Sequence, residues 1–207
     1  MAAKLMPLVD RAATSLGCDL SPAVRGRVET WLDRLLEWNA RVDLTAARSD
    51  EELVDLMLAD AFVLSARIPP GARLVDVGTG AGAPGLALAL LRDDLRVTLV
   101  EPLGKRVSFL RTVLGAVGRA DVVVERGRAE GLIGRRSWDV ATSRATLPPA
   151  KWLDLGTTLV ASGGHVWVLL AGGAPPVNPR AEMDADVSYG WPLTRADRRA
   201  ASYRVTE

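Results

Sequence analysis

The chain has 207 residues, of which 48% are hydrophobic and 25% charged, with a formal net charge of +1. These values describe a folded domain with a full core and exclude both a disordered chain and a globally basic nucleic-acid binder, so any RNA would have to be met by a local patch. The single cysteine, Cys18, excludes an internal disulfide and a cysteine-based zinc site, and no apolar run reaches the roughly eighteen residues of a membrane span, so one compact, metal-free, cytosolic monomer is expected.

The first part of the chain reads as helices without a strand signal. Ser21-Pro22 is an N-cap and first-turn pair, and Val24, Val28, Trp31, Leu32, Leu35 and Leu36 then repeat at helical spacing. Ser49 and Glu52 have the capping-box spacing, and Leu53, Leu56, Met57 and Leu64 continue an apolar stripe. Asp60 interrupts that stripe. A carboxylate there is costly to bury unless it is paired. Two readings stand side by side: it accepts from the amine edge of a substrate base, or it forms an ion pair with Arg48 or Arg144.

From Pro69 onward, short β-branched runs alternate with helical ones. "RLVDV", "RVTLVE", "ADVVVE", "WDVATS" and "HVWVLL" read as strands, with helices near 84–91, 103–117 and 149–160. That rhythm predicts an α/β fold with a mostly parallel sheet. The last 25 residues are polar, and one or two closing antiparallel strands are expected there. His165 falls within a strand pattern and is expected to be structural or exposed. Trp31, Trp38, Trp138, Trp152 and Trp167 read as core.

The stretch "RLVDVGTGAGAPGLAL" (73–88) holds the chemistry. No lysine follows the glycines at phosphate-loop spacing, which excludes a triphosphate site. Gly80, Gly82 and Gly85 satisfy G-x-G-x-x-G, but the match begins three residues past the strand, and Pro84 removes an amide that would cup a pyrophosphate. Asp76, Gly78, Gly80 and Gly82 fit D-x-G-x-G-x-G better. An acid at the strand end repels a pyrophosphate and suits the ammonium of S-adenosylmethionine. Glu101, at the tip of the next strand, can accept from both ribose hydroxyls. The plainer alternative is that Asp76 and Glu101 only cap the turns that follow them.

Together with "EWNARVDLTAAR" (37–48), "LVEPLGKRVSFLR" (99–111), "RAE" (128–130) and "TSRA" (142–145), this stretch resembles the bacterial RsmG family, also called GidB, which methylates N7 of a guanine in 16S ribosomal RNA. The resemblance implies a class I S-adenosylmethionine-dependent methyltransferase fold. Residues 1–66 would form a helical segment packed on a Rossmann-like core of residues 67–207. It places the cofactor contacts on Gly78, Ala83, Ala129, Glu130 and Arg144, and ribosomal RNA or the small ribosomal subunit as partner. Lys105, Arg106 and Arg111, on the helix after Glu101, are the cations expected to meet RNA.

The chain departs from the family on the substrate side. Where the family carries Arg-His-x-x-Asp-Ser, this chain has Leu56, Met57, Leu58, Ala59, Asp60, Ala61, and the family's L-K-G lysine is replaced by Leu170. An RNA enzyme that compensates elsewhere is the leading expectation, and a relative redirected to a small apolar acceptor is the alternative. Outside methyltransferases, a dinucleotide-dependent oxidoreductase and a non-catalytic cofactor-binding protein are the competing readings.

Overall fold

A computed structural model describes residues 1–206. The chain opens with a 3-10 turn (Ala2–Leu5), α1 (Met6–Ser15) and α2 (Pro22–Asn39). Ser21 Oγ caps α2 by accepting from the Val24 amide at 3.3 Å. Ser49 caps α3 (Asp50–Val54), and Glu52 reaches back to the Arg48 amide at 2.7 Å. A π-type turn (Asp55–Ala59) leads straight into α4 (Asp60–Ser65).

β1 (Arg73–Val77), α5 (Gly85–Leu91), β2 (Arg96–Glu101), α6 (Gly104–Ala116), β3 (Val123–Arg126), a 3-10 turn (Ala129–Leu132), β4 (Trp138–Ser143), α7 (Pro149–Gly156), β5 (Val160–Leu170), β6 (Ala181–Gly190) and β7 (Asp197–Val205) complete the order. The seven strands lie in the order β3-β2-β1-β4-β5-β7-β6. β1 to β5 pair in parallel, and β7 is antiparallel to both β5 and β6. The order reverses between β1 and β4, and that switch point opens a crevice beyond the carboxyl ends of the strands.

Two apolar layers cover the sheet. On one face, α1, α2, the π-type turn, α4, α5 and α6 build a core around Trp31, Leu35, Leu58, Phe62 and Phe109. The other face packs Trp152 and Leu153 of α7 against Val75, Val77 and Val166. α5 reads GLALALL, apolar on every side, and all of it except Leu91 is buried. A helix of that kind needs cover on its outer face, and α2 and α4 supply it.

The sheet departs from the sequence expectation at two places: β3 runs Val123–Arg126 instead of over "ADVVVE" (120–125), and β5 starts early. α7 ends at Gly156 instead of near residue 160, and β5 begins at Val160, five residues before "HVWVLL". Gly163 and Gly164 hide this early start, because glycine weakens the strand signal. A Cβ on Gly164 would stand 2.9 Å from the Asp139 carbonyl, and β4 and β5 slip register between Trp138 and Val140.

Candidate active site

The glycine loop after β1 bends back over the sheet edge. The Val100 carbonyl accepts from the Gly78 amide at 2.8 Å and the Thr79 amide at 3.2 Å. Gly78 has φ +73°, and a Cβ there would meet the Thr146 side chain at 2.1 Å, so both backbone and space demand glycine. The N-terminal helices also hold the loop: Trp31, fully buried on α2, donates its indole N–H to the Ala81 carbonyl at 3.2 Å.

Asp76 lies beneath the loop, fully buried. Its Oδ2 accepts from the Gly85 amide at 2.8 Å, while Oδ1 has no hydrogen-bond partner, and neither has the buried Thr79 hydroxyl. Burial pushes the Asp76 carboxyl up to about 6, with Glu101 adding to the rise, and the nearby Thr79 hydroxyl, the Gly85 amide and Arg144, in that order, opposing it. Glu101, also buried, accepts from the Gly80 amide through Oε2 and the Leu103 amide through Oε1, both at 3.0 Å. Each carboxylate oxygen retains a lone pair for a further donor.

A cleft of about 450 Å³ opens above these groups, lined among others by Gly78, Gly80, Ala83, Glu101, Arg106 and Arg144. Asp76, fully buried, does not line the cleft, and Gly82 faces Leu86 instead of it. Ala129 and Glu130 sit on the 3-10 turn after β3, outside the cleft wall. Of the three cations on α6, only Arg106 reaches the cleft, where its Nε is buried without a partner. Lys105 is exposed, and Arg111 donates to the Val124 carbonyl at 3.1 Å.

A second cavity, of about 340 Å³, shares Arg144 and Ala145 with the first. Asp60 stands at this junction, buried and held by three donors: Arg144 Nη1 at 3.0 Å, Tyr189 Oη at 2.8 Å and Trp191 Nε1 at 3.0 Å. The geometry therefore displays the ion pair with Arg144, which also donates to the Leu56 carbonyl. Burial, reinforced by Asp60, pushes the Tyr189 phenol up, so it stays a protonated donor. Met57 is buried in the core, whereas Leu170 lines the cavity.

Tyr189, Trp191 and Arg198 come from β6, β7 and their connection, and sequence reasoning passed over all three. A second carboxylate was missed as well. Asp55, fully buried, accepts from the amides of Leu193 (3.1 Å) and Thr194 (2.8 Å) and from the Thr194 hydroxyl (2.9 Å). On an α-helix, residues five apart diverge by about 140°. The wider π-type turn brings Asp55 and Asp60 round to one side, where both grip the β6–β7 connection. His165 lies away from both cavities, with its Nε2 2.9 Å from Asp184 Oδ2.

Among the described residues no acidic, histidine or cysteine cluster could hold a metal, and no helix is long and apolar enough to cross a membrane. The family described as rRNA small subunit methyltransferase G (GidB) matches residues 26–178, more than half of the chain. The protein named ribosomal RNA small subunit methyltransferase G from Clostridium beijerinckii is 36% identical over 167 residues, 78% of this chain and 70% of that protein. The one of the same name from an Anaeromyxobacter species is 32% identical over 207 residues, 95% of this chain and 96% of its own. In fold, the chain is similar to an O-methyltransferase from Bacillus cereus in complex with SAH, with a TM-score of 0.59 at 16% identity, covering 84% of this chain and 90% of that one. The sheet is thus that of a class I methyltransferase.

Proposed function

Since the chain belongs to the rRNA small subunit methyltransferase G family, we propose that it transfers a methyl group from S-adenosylmethionine to N7 of a guanine in small-subunit ribosomal RNA. The observation that carries this reading is the meeting of two cavities at Arg144 and Ala145, one walled by the glycine loop and Glu101, the other by Asp60, Tyr189 and Trp191.

The residues present fit the cofactor. Asp76 Oδ1 and the Thr79 hydroxyl are buried polar atoms without partners, under a loop whose glycines leave no side chain in the way. Asp76 suits the ammonium end, directly or through water, and Glu101 suits the ribose hydroxyls. Gly78, Gly80 and Ala83 supply the close backbone surface, and Gly82 shapes the turn behind them. Arg144 packs at the junction, and Ala129 and Glu130, on the turn outside the cleft wall, are assigned to the far end by the family resemblance alone. When bound there, S-adenosylmethionine supplies a methyl group on a positively charged sulfur, which is already activated for transfer.

The rest of the work is alignment in a pocket shielded from water. Guanine N7 offers a lone pair and has no proton to lose, so no general base is required. In this site Asp60 is already engaged by three donors, one of them the Arg144 cation. We assign Asp60 as a positioning residue that fixes Arg144 and the two aromatic side chains at the mouth of the donor cleft. Arg106, with Lys105 and Arg111 on the outer face of α6, supplies cationic contacts to RNA phosphates. The protein is taken to act as a cytoplasmic monomer, which light scattering on the purified chain checks.

The apolar lining from Leu147, Leu169 and Leu170 favours a second reading, in which the acceptor is a small apolar molecule. Transfer of a labelled methyl group into cell extract, fractionated into RNA, protein and small molecules, separates the two. Label in RNA is expected, and label confined to small molecules would refute the RNA assignment.

A further inference from the structure

The family's lysine at the end of the fifth strand is missing here, where Leu169, Leu170 and Ala171 stand. The structure places a different cation beside the same cavity. Arg198 begins the second half of the closing hairpin, where it pairs directly across from Tyr189, and it lines the 340 Å³ cavity together with Tyr189, Trp191 and Leu170. Its guanidinium carbon lies 3.7 Å from the centre of the Trp191 ring. Trp191 is fixed in turn by its bond to Asp60.

Arg198 also donates to the Asp197 carbonyl at 2.7 Å, but among the described residues it pairs with no carboxylate, whereas the adjacent Arg199 is paired with Asp186. It is therefore a planar cation with one side against an indole, its charge uncompensated, on the wall of a cavity that abuts the donor cleft. A guanidinium plane is a stacking surface for a splayed-out base, and an underlying aromatic ring holds that plane rigid. Beyond Arg198 the hollow continues into a further space of about 400 Å³ lined by Gly172, Ser188, Tyr189, Asp197, Arg198 and Arg199, where two arginines outnumber the one carboxylate and a flanking nucleotide has room to pass.

We propose that the Trp191–Arg198 stack is the platform on which the acceptor guanine rests, with Arg198 as a substrate-binding residue that takes over from the cation lost at Leu170. Asp60 and Asp55 act through it by fixing the hairpin. The proposal rests on the RNA guanine reading above and names the residues that would receive the base.

The test is methyl transfer from S-adenosylmethionine to purified, unmethylated small ribosomal subunits by the wild-type chain and by Arg198→Lys, Arg198→Gln and Arg198→Ala. KM for the subunit and kcat are separated, donor affinity is measured by calorimetry, and folding is monitored by thermal melting. Stacking predicts that Ala and Lys both lower kcat/KM for the subunit by about tenfold or more, mainly through KM, because neither offers a plane. Gln, planar but uncharged, falls between them and the wild type. Donor affinity stays within about twofold throughout. A Lys variant with wild-type kcat/KM would show a phosphate contact in place of a base platform and overturn the proposal, as would three variants that are all unchanged. Failure of the wild-type chain to methylate any subunit or RNA would instead remove the RNA reading itself, and this proposal with it.

Discussion

Replacing Asp60 by asparagine is the sharpest perturbation of the site. The carboxylate has a side-chain exposure of 3% and faces Arg144 at 18%. Asparagine keeps one carbonyl oxygen for the Tyr189 and Trp191 donors, but sets an amide where Oδ2 received Arg144 and leaves that arginine without a counter-charge. Breaking a fully buried pair costs about 3–5 kcal/mol, and an exposed pair is worth less than about 1 kcal/mol. Arg144 lies between these limits, so the expected loss is about 2–3 kcal/mol. For a chain of this size that lowers the melting temperature by about 4–12 °C.

Asp60 lines the cavity proposed for the acceptor, while its partner Arg144 lines both cavities. Turnover on the ribosomal acceptor should therefore fall by at least about tenfold, and donor affinity, which loses only the ordering of Arg144, by less than that. Calorimetric unfolding, donor titration and methyl transfer on one preparation give all three numbers. A cycle with Tyr189→Phe should show coupling, since both changes act on the same carboxylate. An Asp60→Asn protein that melts within about 1 °C of wild type and retains full turnover would refute the positioning role.

Other predictions follow from neighbouring groups. With the Asp76 carboxyl at about 6 in the folded chain against 3.8 as the ordinary value, the contribution of Asp76 to the stability of the ligand-free protein should be greatest at low pH, and roughly 3 kcal/mol of it should be lost as pH rises from about 4 through 6; in pH-dependent melting Asp76→Asn should remove this component and leave the opposite trend of carboxylates held low by arginines, such as Asp94 and Asp139. Binding a cationic donor favours the ionised form, so donor affinity should strengthen as pH rises through 6, and Asp76→Asn should abolish that dependence in calorimetry. Asp55→Ala strands three donors on the β6–β7 connection and should cost about 3 kcal/mol, with faster amide exchange at Leu193 and Thr194. Gly78→Ala, which must clear Thr146 at φ +73°, should weaken donor binding at least tenfold in the same titration.

The legible parts of the molecule were those whose signals are local. β1, β2 and β4 are short runs carrying two or three Val or Thr residues each, and the glycine loop follows its strand directly, so strand ends and cleft walls could be read together. Ser21 and Ser49 announced their helices for the same reason. The acceptor side depends on contacts that span more than 120 residues, such as Tyr189 to Asp60. β6, the edge strand, alternates polar and apolar residues, which shows a strand but not which aromatic turns toward a distant helix. Asp55 looked like one more surface acid in the run DEELVD, because nothing local announces the π-type turn that carries it inward. Trp31 was expected in the core, and it is there; that its indole also ties down the glycine loop depends on where α2 crosses α5.

The central claim is a guanine N7 methyltransferase whose acceptor is small-subunit ribosomal RNA. It is tested most directly by incubating the purified chain with methyl-labelled S-adenosylmethionine and unmethylated small subunits, digesting the RNA to nucleosides and separating them. Label recovered as 7-methylguanosine is the predicted result. Labelled RNA without 7-methylguanosine, or no labelled RNA at all, would contradict it.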